Sequence, residues 1–141
     1  MNKVLRMMLC IFSLILFSCE EEELLPEFGS ISVNINFVGL FPESGDVLLT
    51  LNTVFPVAGP PAGFAYINNA DLENNVYIHT FTDLPFRTYE RILISYWPEG
   101  YETAGDNYTT IGDYADIIDL SQENENIDID IDIDADFELV P

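Results

Sequence analysis

The carboxy-terminal stretch Asn126-Ile-Asp-Ile-Asp-Ile-Asp-Ile-Asp-Ala-Asp-Phe-Glu-Leu139 sets Asp128, Asp130, Asp132, Asp134 and Asp136 in strict alternation with four isoleucines and an alanine. Two chemistries compete for it: a metal site, or the wet side of a β-strand. Calcium takes six to eight oxygens at about 2.3–2.6 Å, and a run of sequential ligands must fold back around the ion. Asp128-x-Asp130-x-Asp132 imitates the opening of an EF-hand loop, but its sixth position is Ile133 instead of Gly and its twelfth is Leu139 instead of Glu. Moving the frame to Asp130 or Asp132 puts Ala135 or Phe137 at the sixth position. In an extended chain, side chains two apart stand ~6.6–6.8 Å apart on one face, so a row of five cannot enclose one ion.

The residues between the aspartates decide the matter. Ile127, Ile129, Ile131, Ile133, Ala135, Phe137 and Leu139 make an apolar face of the same period. Burying the large ones is worth ~1.5–3 kcal/mol each, which outweighs the poor strand propensity of Asp, on a scale spanning only ~1 kcal/mol. The stretch is therefore expected to be a sheet strand with its Asp row in water. The competing expectation is diffuse cation binding by that row, helped by Asp113, Asp116, Asp119, Glu123 or Glu125.

Working back along the chain, the dominant period remains two. In Gly29–Leu40, Ile31, Val33, Ile35 and Phe37 alternate with Ser32, Asn34 and Asn36, as in a half-buried strand. A Pro-Glu-Ser-Gly-Asp turn leads to a strand from about Asp46 to Val54. Pro56–Gly63 cannot join a ladder, because proline lacks the amide donor. Phe64–Ile67 reads as a short strand and Asn68–Asn75 as a turn-rich excursion. Val76–Leu84 and Thr88–Trp97 read as two strands joined by the tight Leu84-Pro85-Phe86-Arg87, and shorter strands are expected around Tyr108–Ile111 and Ala115–Leu120. Seven or eight short strands with no amphipathic helix after residue 18 predict an all-β class, a single immunoglobulin-like or transthyretin-like antiparallel β-sandwich over residues 29–141.

Tyr77-Ile-His-Thr-Phe81-Thr-Asp-Leu84-Pro85-Phe-Arg-Thr-Tyr89, followed by Gly100-Tyr101, resembles the signature of carboxypeptidase-regulatory-like, transthyretin-like sandwich domains. There an aromatic-rich strand enters a Leu-Pro-x-Gly-x-Tyr turn and a Gly-Tyr pair follows the next strand. Gly29-Ser-Ile-Ser-Val and Gly45-Asp-Val-Leu-Leu sit where such domains have their first two strands. The resemblance covers about residues 29–101 and departs at Arg87, where the family usually has Gly. It implies a non-catalytic spacer or accessory domain.

Residues 1–18 stand apart. Lys3 and Arg6 precede an apolar run from Met7 to Phe17. That run is shorter than the ~20 residues that span a bilayer, so it is expected to be a signal peptide. Leu16-Phe17-Ser18-Cys19 resembles the lipobox of bacterial lipoproteins, which implies lipidation at Cys19. Cys10 falls in the segment to be removed, so no internal disulfide is possible. Glu20–Glu23 resembles the surface-export signal of Bacteroidota-type lipoproteins; a plain solvated tether accounts for it as well. Residues 19–28 are expected to be a lipidated, acidic tether, and the protein an outer-membrane lipoprotein exposed at the cell surface.

Charge limits the partners. The whole chain carries a formal −21, and beyond residue 18 only Arg87 and Arg91 oppose 25 acidic side chains. Such a field repels nucleic acid and anionic headgroups, leaving the membrane (through the lipid), a glycan or an envelope protein as partners. No cofactor motif occurs. His79, the single histidine, shares a strand face with Tyr77 and Phe81, as a core-boundary residue does. None of Ser30, Ser32, Ser44, Ser95 or Ser121 lies in the sharp-turn setting of a catalytic nucleophile, and zinc lacks a ligand set. No catalytic residue and no metal ligand is therefore expected.

The aromatics carry the remaining signal. Phe55, Phe64, Tyr66, Tyr96, Trp97, Tyr101 and Tyr108 fall at strand ends or loops. Tyr66, Trp97, Tyr101 and Tyr108 are the candidate ligand-binding residues, against the alternative that these rings plug the ends of a small sandwich. The expected function is a non-enzymatic, lipid-anchored structural or interaction module. The alternatives are a glycan- or protein-binding accessory lipoprotein, an enzyme built on a clustered acid pair, and a calcium-dependent adhesin.

Overall fold

A computed structural model describes residues 27–103 and 105–140, with the backbone alone described for 128–132. The signal segment, Cys19 and Glu20–Glu23 lie outside the described residues, as do the side chains of Asp128, Asp130 and Asp132. Among the described residues are nine strands: β1 (Phe28–Val38), β2 (Asp46–Asn52), β3 (Gly63–Ile67), β4 (Val76–Pro85), β5 (Arg87–Tyr89), β6 (Arg91–Trp97), β7 (Thr109–Tyr114), β8 (Ile118–Leu120) and β9 (Asn126–Asp136). Among the described residues the only helical pieces are single 3-10 turns at Asn69–Asp71 and Phe137–Leu139. Among the described residues, no helix is long and apolar enough to cross a membrane.

Two sheets enclose the core, one ordered β4-β1-β9 and the other β3-β2-β6-β7, with β5 and β8 forming a separate ribbon. The alternation in β1 is realised as read: Ile31, Val33, Ile35 and Phe37 are buried. They meet Val47, Leu49 and Leu51 of β2 and Ile92, Ile94 and Tyr96 of β6 within one hydrophobic core. All the sheet pairs are antiparallel except one. β9 lies parallel to β1, so the wholly antiparallel expectation is corrected at the pairing of the first and last strands. Parallel neighbours cannot be joined by a tight turn; here almost the whole chain is the crossover.

The acidic comb is a strand. Ile133 and Ala135 are fully buried, whereas Asp134 is exposed. Between Val33 and Ile35 of β1, β9 advances from Ile129 to Ile133, two residues more than its partner. An even slip keeps the alternation in phase. The apolar face ends earlier than its sequence pattern. Asp136 Oδ1 accepts the Glu138 N–H at 2.8 Å, capping the 3-10 turn in place of strand continuation. Phe137 turns into the core, stacked on Phe37 at 4.9 Å, and Leu139 is left outside.

The segment Thr88–Trp97 is not one strand. β5 pairs with β8, whereas β6 sits centrally in the four-stranded sheet, so the chain crosses between sheets at Glu90. The Glu90 N–H donates to the Asn52 carbonyl at 2.9 Å across that corner. Tyr89 is fully buried and its hydroxyl donates to the Pro85 carbonyl at 2.8 Å. The one left-handed residue of this region is Asp83 (φ 55°), so the position of Arg87 makes no demand for glycine.

The hairpin links fall at two poles. The pole of Phe28 (near pole) carries the β2–β3 link and the β4–β5–β6 corner. The opposite (far) pole carries the links β1–β2, β3–β4 and β6–β7, and the end of β9. Along one side the two sheets nearly touch. A Cβ on Gly112 of β7 would lie 2.8 Å from the Asp134 carbonyl oxygen and 3.2 Å from the Ala135 side chain.

Candidate functional site

The four-stranded sheet has a second, outward face that is not bare. Along β2, Val47, Leu49 and Leu51 point to the core, which turns Leu48, Thr50 and Asn52 outward. On β6 the outward set is Leu93, Ser95 and Trp97, and on β3 it is Phe64 and Tyr66, opposite Thr50 and Leu48. Leu48, Asn52, Leu93 and Ser95 are nonetheless buried. Two links fold over this face from opposite poles, 53–62 from the near pole and 98–108 from the far pole. Between them runs a groove of about 220 Å³, floored by Thr50, Asn52, Leu93 and Ser95 and walled by Val57, Gly59, Pro61, Trp97, Tyr101, Asp106 and Tyr108.

The rings meet in a continuous row. Tyr66 contacts Tyr101 (centroids 6.4 Å apart, edge to face), Tyr101 contacts Trp97 (5.0 Å, edge to face), and Trp97 stacks on Tyr108 (4.6 Å, 27°). Phe64 extends the row beyond Tyr66 at 6.1 Å. All four candidate ligand-binding residues thus belong to one cluster. These four rings lie across the outward face of the sheet, whereas Tyr96 is buried in the core and its hydroxyl donates to the Ser44 carbonyl at 3.1 Å. Tyr66, Tyr101 and Tyr108 remain 40–43% exposed, while Trp97, half-buried between them, is a post more than a platform.

Local chemistry fixes this arrangement. The indole N–H of Trp97 donates to Ser95 Oγ at 2.9 Å, and the Asn52 amide donates to Thr50 Oγ1 at 3.1 Å. The far-pole link turns on Gly100 (φ 82°), whose N–H donates to the Trp97 carbonyl at 3.1 Å. The Tyr101 N–H then donates to the Asp46 carboxylate at 2.8 Å. Gly45 (φ 82°) makes room for the row, because a Cβ there would lie 2.6 Å from the Trp97 carbonyl oxygen and 2.8 Å from the Tyr96 ring. Partial burial, with Asp46 and Glu102 nearby, pushes the Tyr66 hydroxyl above its ordinary pKa, so it stays a neutral donor.

The groove continues toward the near pole as a second hollow of about 410 Å³, sharing Val57, Leu93 and Tyr108 and adding Phe55, Pro56, Arg91, Thr110 and Asp113. Arg91 is already engaged there: it pairs with Asp113 at 3.1 Å and lies 3.9 Å over the Phe55 ring. The first hollow therefore contains a single ionisable carboxylate, Asp106, and no cation.

The other candidates lie elsewhere. His79 stacks beside Tyr77 and against the edge of Phe81, with the Tyr77 hydroxyl 3.4 Å from Nδ1, and burial lowers its pKa. Ser95 serves as acceptor for an indole. Among the described residues, no three His, Cys, Asp or Glu side chains converge on a metal-sized site. Asp46, Thr50, Asn52 and Asp106 were not singled out in the sequence; the only signal for Thr50 and Asn52 was polar residues alternating with Leu49 and Leu51. No protein-family model matches the chain, and neither a curated protein nor a solved structure is significantly similar to it.

Proposed function

We propose that this protein is a non-catalytic binding module, held at the cell surface by lipid on Cys19, whose ligand site is the outward face of the four-stranded sheet. The observation that carries the reading is the contact row of Tyr66 from β3 with Trp97, Tyr101 and Tyr108 from residues 97–108, the last three walling a groove floored by Thr50, Asn52, Leu93 and Ser95. Concave sites that join aromatic walls to a few fixed polar groups are the usual form of ligand pockets. Surface display is supported by the poles: a tether entering at Phe28 leaves the Tyr66–Tyr101 end of the ring row on the far pole, away from the anchoring surface.

Two measurements test this. Tyr101→Ala and Tyr108→Ala alter exposed rings, so a binding role predicts lost retention on immobilised cell-envelope or extracellular polymers with the melting temperature unchanged. A purely structural role predicts the reverse. In cells, Cys19→Ala is expected to move the protein from the membrane to the soluble fraction, and protease added to intact cells is expected to degrade the wild type. Retention of C19A in the membrane would reject the anchor.

A further inference from the structure

The binding reading leaves the ligand open, and resting on that reading we infer that the groove takes a neutral pyranose oligosaccharide. Three observations point to this chemistry. First, the rings touch each other: Trp97 stacks on Tyr108 at 4.6 Å and meets Tyr101 at 5.0 Å. A cage for an ammonium group needs rings held apart around the cation; here Trp97 and Tyr108 stack on each other at 27° and Tyr101 closes on Trp97 edge-on at 89°, which leaves no gap for one. The C–H face of a pyranose ring packs on a single exposed aromatic side chain, such as the half-exposed Tyr108, and loses no hydrogen bond by doing so.

Second, the floor presents hydroxyls and an amide. Thr50 and Asn52, which already bond each other at 3.1 Å, keep further donor and acceptor capacity, and the Asp106 carboxylate on the wall accepts from sugar hydroxyls. A proline-rich peptide would use the rings but offers few donors to that floor. Third, charge excludes the other glycans. The groove's one cation, Arg91, is already paired with Asp113, and the chain as a whole is strongly negative, so a uronate or sulfate group meets repulsion without a counter-charge. The seven residues of β6 run roughly 20 Å beneath the two hollows, lining them through Arg91, Leu93, Ser95 and Trp97, room for several linked sugar rings rather than one.

The test titrates the intact lipid-free domain with soluble fragments of glucan, mannan, galactan and xylan, following Trp97, the only tryptophan. Polygalacturonate fragments, choline and a proline-rich peptide are run in parallel. Expected is saturable binding of at least one neutral series, tightening with chain length and flat between about 0.05 and 0.5 M salt. Tyr108→Ala is expected to weaken it about tenfold or more. Binding of choline or the peptide alone would overturn the inference and leave the binding module standing, as would affinity for polygalacturonate above that for every neutral series. No binding to any probe, with the fold intact, would overturn both.

Discussion

At the scale of single residues, two polar-tipped side chains, the buried Tyr89 and the half-buried His79, define how the core is finished. Tyr89 fills the corner where the chain leaves β4 for the other sheet, and its hydroxyl satisfies the Pro85 carbonyl. Removing that hydroxyl takes away one part-buried hydrogen bond, at a cost of about 0.5–1.5 kcal/mol. Tyr89→Phe is therefore expected to lower the melting temperature by several degrees with an unchanged circular dichroism spectrum. His79 gives a pH signature. Its burial beside Tyr77 and Phe81 favours the neutral ring, placing its pKa below the ordinary ~6.5 in the folded state. The unfolded chain then takes up the proton first as pH falls, so stability is full above about pH 6.5 and declines below it. His79→Gln is expected to flatten the fall in melting temperature between about pH 7 and 5.5; an identical slope in both proteins would remove His79 as its source.

At the scale of elements, the comb shows what a period can and cannot specify. Its two-residue alternation tells which side chains face the core, and Ile133 and Ala135 are indeed buried. It says nothing about register in steps of two, because each Ile-Asp pair is equivalent to the next, and β9 slips by two against β1 without penalty to the pattern. The flanks break that degeneracy: Asn126 accepts from the Ser30 hydroxyl at 2.9 Å, and Ala135, small, stands opposite Phe37 and against Gly112. Gly112→Ala is thus expected to cost about 1–3 kcal/mol, since the new methyl meets main chain that cannot rotate away. A denaturant midpoint equal to wild type would show that β7 and β9 have room to part. The split of β5 from β6 was illegible for a related reason. Thr88–Trp97 alternates well enough for one strand, and only the long-range bond from Glu90 to Asn52 reveals the crossing between sheets.

At the scale of the molecule, the sandwich class and its core were legible because burial of alternate residues is a local pattern repeated along the chain. The parallel closure by β9 was not, since it depends on which ends meet. The proposed binding face was half legible. Tyr66, Trp97, Tyr101 and Tyr108 could be named from their places at strand ends and loops, but their convergence on one face depends on the β2–β6 and β2–β3 registers. The polar floor was hidden by the ordinary look of a strand whose outer residues are Thr50 and Asn52. A double substitution, Thr50→Val with Tyr101→Ala, is expected to abolish ligand retention while leaving the sandwich folded, because neither side chain belongs to the inner core.

The parallel pairing of β1 with β9 has a mechanical consequence. Residue 28 and residue 136 stand at opposite poles on adjacent strands, so tension drawn between them slides one strand along the other. The ladder bonds then share the load together, instead of opening one after another as they do when a hairpin is peeled. A domain tugged by flow or by a moving neighbour would give way late and abruptly.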